Sequence, residues 1–109
     1  MVYKILGQLD AGAATMQTLY TVPASTATVA SSLTICNRTS ASKAVRIVVQ
    51  QAGAALANKQ YIAYDLPIAA NDSVALSIGM TLAATDVVSV YSSSANSVSF
   101  GLFGSEIPY

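Results

Sequence analysis

The chain reads as an all-β protein, an antiparallel β-sandwich of jelly-roll-like character with about eight strands, and three observations predict it. From Ile68 to Glu106, short alternating segments end at Asn, Asp, Ser or Gly and restart three to five residues later, the signature of strands joined by tight turns. Strand signals recur along the whole chain at roughly 10-residue spacing, as in sandwiches and barrels. Long strands rich in small residues suit the thin core of two packed sheets better than a closed barrel. With 109 residues there is room for one domain, 1–109, and one core.

Taken in order, Tyr3 to Gln8 forms a terminal strand of the kind that zips onto a sheet edge, ended by Gly7 and an Asp10-Ala-Gly12 turn. Met16, Thr18, Tyr20 and Val22 alternate with Gln17, Leu19 and Thr21, and Pro23, which has no N–H for a ladder, stops that strand. Thr26 to Cys36 is long and half-buried, with Ala27, Val29, Leu33 and Ile35 on one parity and the hydroxyl residues mostly on the other. After a polar loop, Asn37 to Ser42, the segment Lys43 to Gln51 points Val45, Ile47 and Val49 inward and Arg46 and Gln50 outward, with Val48 as the exception. These two strands are expected to pair as a hairpin.

Ala52 to Asn58 is too short for a stable helix and contains Gly53, so it reads as a loop with a short helical turn. In the strand Lys59 to Leu66, the spacing of Tyr61 and Tyr64 places them on opposite faces, and Pro67 breaks the run. Asn71-Asp72 turns the chain into Ser73 to Ile78, where Val74, Leu76 and Ile78 share a face before a bend at Gly79. An Ala83-Ala-Thr-Asp86 turn precedes Val87 to Ser92. The Ser92-Ser-Ser-Ala-Asn96 loop then leads to Ser97 to Phe103, with Val98, Phe100 and Leu102 inward.

Composition narrows the function classes. Charged residues make up 9% of the chain, against roughly 25% in an ordinary soluble domain, and the net charge is zero. A surface built of Ser, Thr, Asn, Gln and Ala has little electrostatic repulsion between copies, which favours life in an assembly. Lys4, Arg38, Lys43, Arg46 and Lys59 are too scattered to form the basic stripe that nucleic acid needs. No apolar run reaches the ~18 residues of a membrane span, and the amino terminus lacks the features of a signal peptide, so synthesis and assembly in a cytoplasm are expected.

Chemistry is sparse. The chain has no histidine, the commonest general base and metal ligand. Asp72 and Asp86 are expected to accept backbone hydrogen bonds in their turns, and no Asp-x-Asp spacing suggests a calcium loop. Cys36, the single cysteine, reads as a small buried residue without an activating partner. The sequon Asn37-Arg38-Thr39 reads as chance. No enzyme, cofactor or metal site is predicted.

Several stretches resemble small virion structural proteins of tailed bacteriophages, including phages of cyanobacteria and marine bacteria. They are Tyr3-Lys-Ile-Leu-Gly-Gln8, Thr18-Leu-Tyr-Thr-Val-Pro23, Ile62-Ala-Tyr-Asp65, Leu82-Ala-Ala-Thr-Asp-Val-Val-Ser-Val-Tyr91 and Phe103-Gly-Ser-Glu106. The resemblance spans nearly the whole chain, rests on strand ends and turns, and carries no functional residues. It implies a capsid decoration or cement protein on the outer surface of the virion head, homo-oligomeric as dimer or trimer, whose partner is the major capsid protein. The alternative is a tail, baseplate or fibre-associated sandwich that binds a receptor or carbohydrate through converging tyrosines. The length of the chain, without shaft or coiled coil, favours the first. Candidate interface residues are Tyr3 and Lys4 on the terminal strand, Arg38 and Arg46 on the expected hairpin, and Tyr109 at the tail, groups suited to subunit contacts.

Overall fold

In the computed structural model, which describes residues 2–10, 15–94 and 97–109, the alternating segments become eight strands. They are β1 (Val2–Asp10), β2 (Gln17–Thr21), β3 (Thr26–Asn37), β4 (Lys43–Gln50), β5 (Tyr61–Ile68), β6 (Ser73–Leu82), β7 (Val87–Ser92) and β8 (Val98–Pro108). The first sheet has the order β1-β8-β3-β6 and the second β2-β7-β4-β5, all pairs antiparallel. The chain changes sheet at nearly every connection, and this strand order is that of a jelly roll. Two expected turns, at Asp10-Ala-Gly12 and Ser92 to Asn96, fall partly outside the described residues.

The expected hairpin of Thr26–Cys36 with Lys43–Gln51 does not form. β3 pairs with β6 and β8, whereas β4 pairs with β5 and β7, so the two strands face each other across the core. The intervening loop is a crossover organised by Asn37, whose side chain is 1% exposed. Its Nδ2 donates to the carbonyls of Ala41 (2.8 Å), Ile68 (3.1 Å) and Ala69 (3.2 Å), while its Oδ1 accepts from Thr39 N (3.0 Å) and Thr39 Oγ1 (2.7 Å). One amide thereby fixes two loops. Its nitrogen is wholly engaged within the fold, so the sequon offers no accessible glycan acceptor.

Leu33, Ile35, Val45, Ile47, Ile68, Val88, Val90, Val98 and Leu102 are fully buried and, with Phe100, fill the space between the sheets. The inward parity of β4 and β8 is as the alternation predicts. In β3 it holds only for Leu33 and Ile35, because a bulge at Ser31 reverses the strand: Thr26, Thr28 and Ala30 are buried, and Ala27 and Val29 turn outward, half-exposed. Cys36 lies on the outward parity beyond Ile35 and is exposed, contrary to the buried position expected of it. Pro67 does not end its strand either, since β5 runs on to Ile68 with Pro67 opposite Ala44. β5 is a sheet edge, where a missing N–H breaks no ladder. Segment 51–60 is a loop with two short 3-10 turns, as its length requires.

Toward the far end of the sandwich, a polar clasp ties the sheets together. The buried Tyr20 hydroxyl, from β2, lies 2.9 Å from Thr28 Oγ1 and donates to Glu106 Oε2 at 2.5 Å. Lys4 Nζ donates to the other carboxylate oxygen at 3.1 Å. Burial, then the bond to Glu106, pushes the Tyr20 phenol up to about 12. The Tyr20 and Lys4 bonds hold Glu106 below the ordinary carboxylate value.

Two predictions follow from these contacts. Asn37→Ala strands buried carbonyls and unties both loops, and is expected to lower unfolding stability by about 2–3 kcal/mol in urea titrations. Because the Glu106 pKa is depressed on folding, its stabilisation is complete above the unfolded carboxylate pKa and fades as pH falls through the lower folded value. The stability gap between wild type and Glu106→Gln should therefore narrow on acidification from about pH 5. A constant gap from neutral to acid pH would rule out the clasp as the cause.

Candidate functional site

Two exposed faces gather side chains that neither the core nor the loops require. The first is the outer face of the first sheet. Register sets Tyr3 of β1 opposite Ser105 of β8, which faces Val29 of β3, while Ile5 lies opposite Phe103, which faces Ser32. Tyr3 is 81% and Ile5 53% exposed, and Val29, Phe103 and Ile107 are half-exposed. Around this apolar patch the outward positions are mainly Ser, Thr, Ala and Gly, with Gln8 and Cys36 toward the crossover end. Among the described residues, Asp10 is the one charged group at an outward position of these four strands, and it is paired with Arg38. Such a face has little hydration to lose on contact with another protein.

The second lies on the outer face of the other sheet and centres on Arg46. Its guanidinium carbon is 4.2 Å from the Tyr64 ring centroid and 4.6 Å from that of Tyr91, and Nε and Nη2 donate to Asp65 Oδ1 (2.7 Å) and Oδ2 (3.3 Å). Tyr61 meets Tyr64 edge-on, with ring centroids 5.0 Å apart. Regular alternation would separate these two tyrosines. β5 instead carries irregularities against β4: Tyr64 and Asp65 together oppose Arg46, with Asp65 left-handed at φ 51, and Ile62 is left over before Tyr61. The strand is bent so that the Tyr64 ring and the Asp65 carboxylate both reach Arg46, with Tyr61 set against Tyr64. The hydrogen bond to Asp65 drives the Arg46 pKa further up, so this group stays charged at every working pH. Tyr64 remains 60% and the neighbouring Ile62 50% exposed.

The five residues singled out in the sequence do not form one interface. Tyr3 belongs to the apolar patch; Lys4 points to the clasp and Glu106; Arg38 pairs with Asp10 at the crossover end; Arg46 sits on the opposite sheet. Tyr109 is 76% exposed beyond the end of β8, its backbone held by a 2.9 Å bond to Ser25 O. Sequence reasoning missed Val29 because the bulge in β3 turns it outward, and missed Ile5 and Phe103 as partners because only the β1–β8 register sets them side by side. It missed Tyr91 and Asp65 because only the β4–β7 and β4–β5 registers bring them to Arg46.

Asp72 and Asp86 serve their turns, accepting from Ser73 N (2.8 Å) and from Ala83 N (2.9 Å) and Ala52 N (2.8 Å) respectively. Among the described residues no three His, Cys, Asp or Glu side chains gather as a metal site, and no helix is long and apolar enough to cross a membrane. No protein-family model, curated protein or solved structure matches the chain.

Proposed function

We propose that this chain is a structural protein of a bacteriophage virion, a capsid decoration (cement) protein that docks on the outer surface of the head across neighbouring major capsid protein subunits. The observation that carries this reading is the outer face of the first sheet, where Tyr3, Ile5, Val29 and Phe103 form an apolar patch framed by uncharged small residues. A protein repeated many times gains from weak, identical contacts acting together, and a face whose one outward charge, Asp10, is already paired with Arg38 offers little to repel its neighbours or to lose ion hydration on docking. The jelly-roll strand order suits this use, being a common architecture of capsid domains as well as of lectins. The reading assigns the chain no catalytic step.

A second reading, a tail, baseplate or fibre-associated carbohydrate binder, draws on the Arg46 cluster. Tyr64 offers a ring face to the apolar side of a sugar, and Asp65, whose side chain is 48% exposed, offers carboxylate oxygens to hydroxyls. Small polar-aromatic platforms of this kind recognise ligands without a deep pocket.

Imaging of tagged protein on virions separates the two. The first reading expects copies spread over the head in numbers comparable to the shell subunits, with occupancy falling at least tenfold in Ile5→Lys. Labelling confined to the tail overturns it. The second expects glycan binding on a host-polysaccharide array that Tyr64→Ala abolishes while Ile5→Lys leaves it unchanged.

A further inference from the structure

The four sheet edges differ in how they are protected. β2 is five residues long; β5 carries Pro67, Asp65 and two irregularities; β1 carries Lys4 and ends at Asp10. Each has a feature that discourages further strand pairing. β6, at the other edge of the first sheet, has ten residues with neither charge nor proline. Its single interruption is the bulge at 78–79, where Gly79 has φ 54. Before the bulge, Ser73 to Ser77 pair residue for residue with Cys36 to Ser32 of β3, leaving the opposite side of a regular five-residue run open.

The side chains along that run are also incomplete. Val74 and Leu76 pack against the core yet remain half-exposed at its rim, while Ser73, Ala75 and Ser77 are small and exposed on the outer face. We propose that β6 pairs with β6 of a second copy of this chain, antiparallel and about a two-fold axis at Ala75, so that Ser73 faces Ser77 and Val74 faces Leu76 of the other copy. A two-fold interface must match itself, and this segment does: small residues meet small, and each half-exposed Val74 meets a half-exposed Leu76, carrying the core from one copy into the next. A net charge of zero and the lack of charge on β6 leave nothing to repel the second copy.

The axis of such a pair stands perpendicular to the sheet, so both outer faces lie on the same side of an eight-stranded sheet. The two Tyr3–Ile5–Phe103 patches would then meet a shell together, which couples the pairing to the proposed docking through effective concentration. The inference rests on the homo-oligomeric part of that reading and is independent of where in a virion the protein sits.

Sedimentation velocity of the purified chain across a dilution series tests it. The expected result is a species of about twice the 11.2 kDa monomer mass that Ala75→Lys converts to monomer, because the exposed position sets two like charges face to face. In a Cys36→Ser background, Ala75→Cys should oxidise to a disulfide-linked dimer, since directly opposed strand residues have Cα separations of about 4.5–5.5 Å, within disulfide reach. A wild-type monomer throughout overturns the proposal. So does a dimer that survives Ala75→Lys, or one dissolved by Ile5→Lys but not by Ala75→Lys. Failure here with head labelling retained would reject the pairing and keep the cement reading.

Discussion

The arrangement of the first sheet follows from a row of bulges that crosses it at one level. β8 keeps regular alternation from Val98 to Glu106, while β1 inserts Leu6, β3 inserts Ser31, and β6 adds residues 78–79 beside it. Gly104 is what lets β3 come close there: a Cβ at that position would overlap the Val29 carbonyl oxygen. Above the row, the odd residues of β3 fill the core with Leu33 and Ile35. Below it, the even residues Ala30, Thr28 and Thr26 face inward, and Val29 is turned out. Half-exposing a valine gives up about 1 kcal/mol of burial. The outer patch therefore exists at a local cost in stability that contact with another surface would recover.

The same reversal explains why polar side chains occupy one end of an otherwise apolar sandwich. Once Thr28 and Glu106 face inward opposite each other, the interior at that level holds a hydroxyl and a carboxylate, which are costly to bury alone. Tyr20 reaches across from the other sheet with a hydroxyl that serves both, and Lys4 arrives from the edge strand to compensate the charge. The exposed pairs Arg38–Asp10 and Arg46–Asp65 lie where solvent screens them, so they add little to stability. Apolar burial, the Asn37 crossover and the clasp hold this fold; surface charge does little.

Period-two alternation made the sandwich, the inward faces of β4 and β8 and the edge position of β1 legible in the sequence. The errors arose where pairing is non-local. Nothing near Asn37 shows that its amide will bridge to Ile68 and Ala69 and send β4 to the other sheet, and a polar six-residue loop serves a hairpin as readily as a crossover. The bulges were equally hidden. An added residue in β3 shows only against its partner, so alternation carried through Ser31 assigns Ala27 and Val29 to the core. Tyr61 and Tyr64 converge for the same reason, through an irregular ladder against β4. Of the candidate site, single residues such as Tyr3 and Arg46 could be picked out, but not the neighbours that turn them into surfaces.

The two outer faces solve different physical problems, which bears on how they divide the work. On the second sheet, Arg46 is enclosed by Tyr64, Tyr91 and Asp65, so its charge is balanced and its planar group fixed; this face is rigid, polar and locally specific. The first sheet offers area without direction: ring and aliphatic surface among hydroxyls, and few groups that demand a particular partner geometry. Weak contacts of that sort discriminate poorly one at a time but become effective when a lattice repeats them, whereas a rigid cationic-aromatic platform can select a ligand as a single site. A sandwich that keeps nearly all charge off one face and sets a cationic cluster on the other can hold to a repeating surface with the first while leaving the second turned toward solvent.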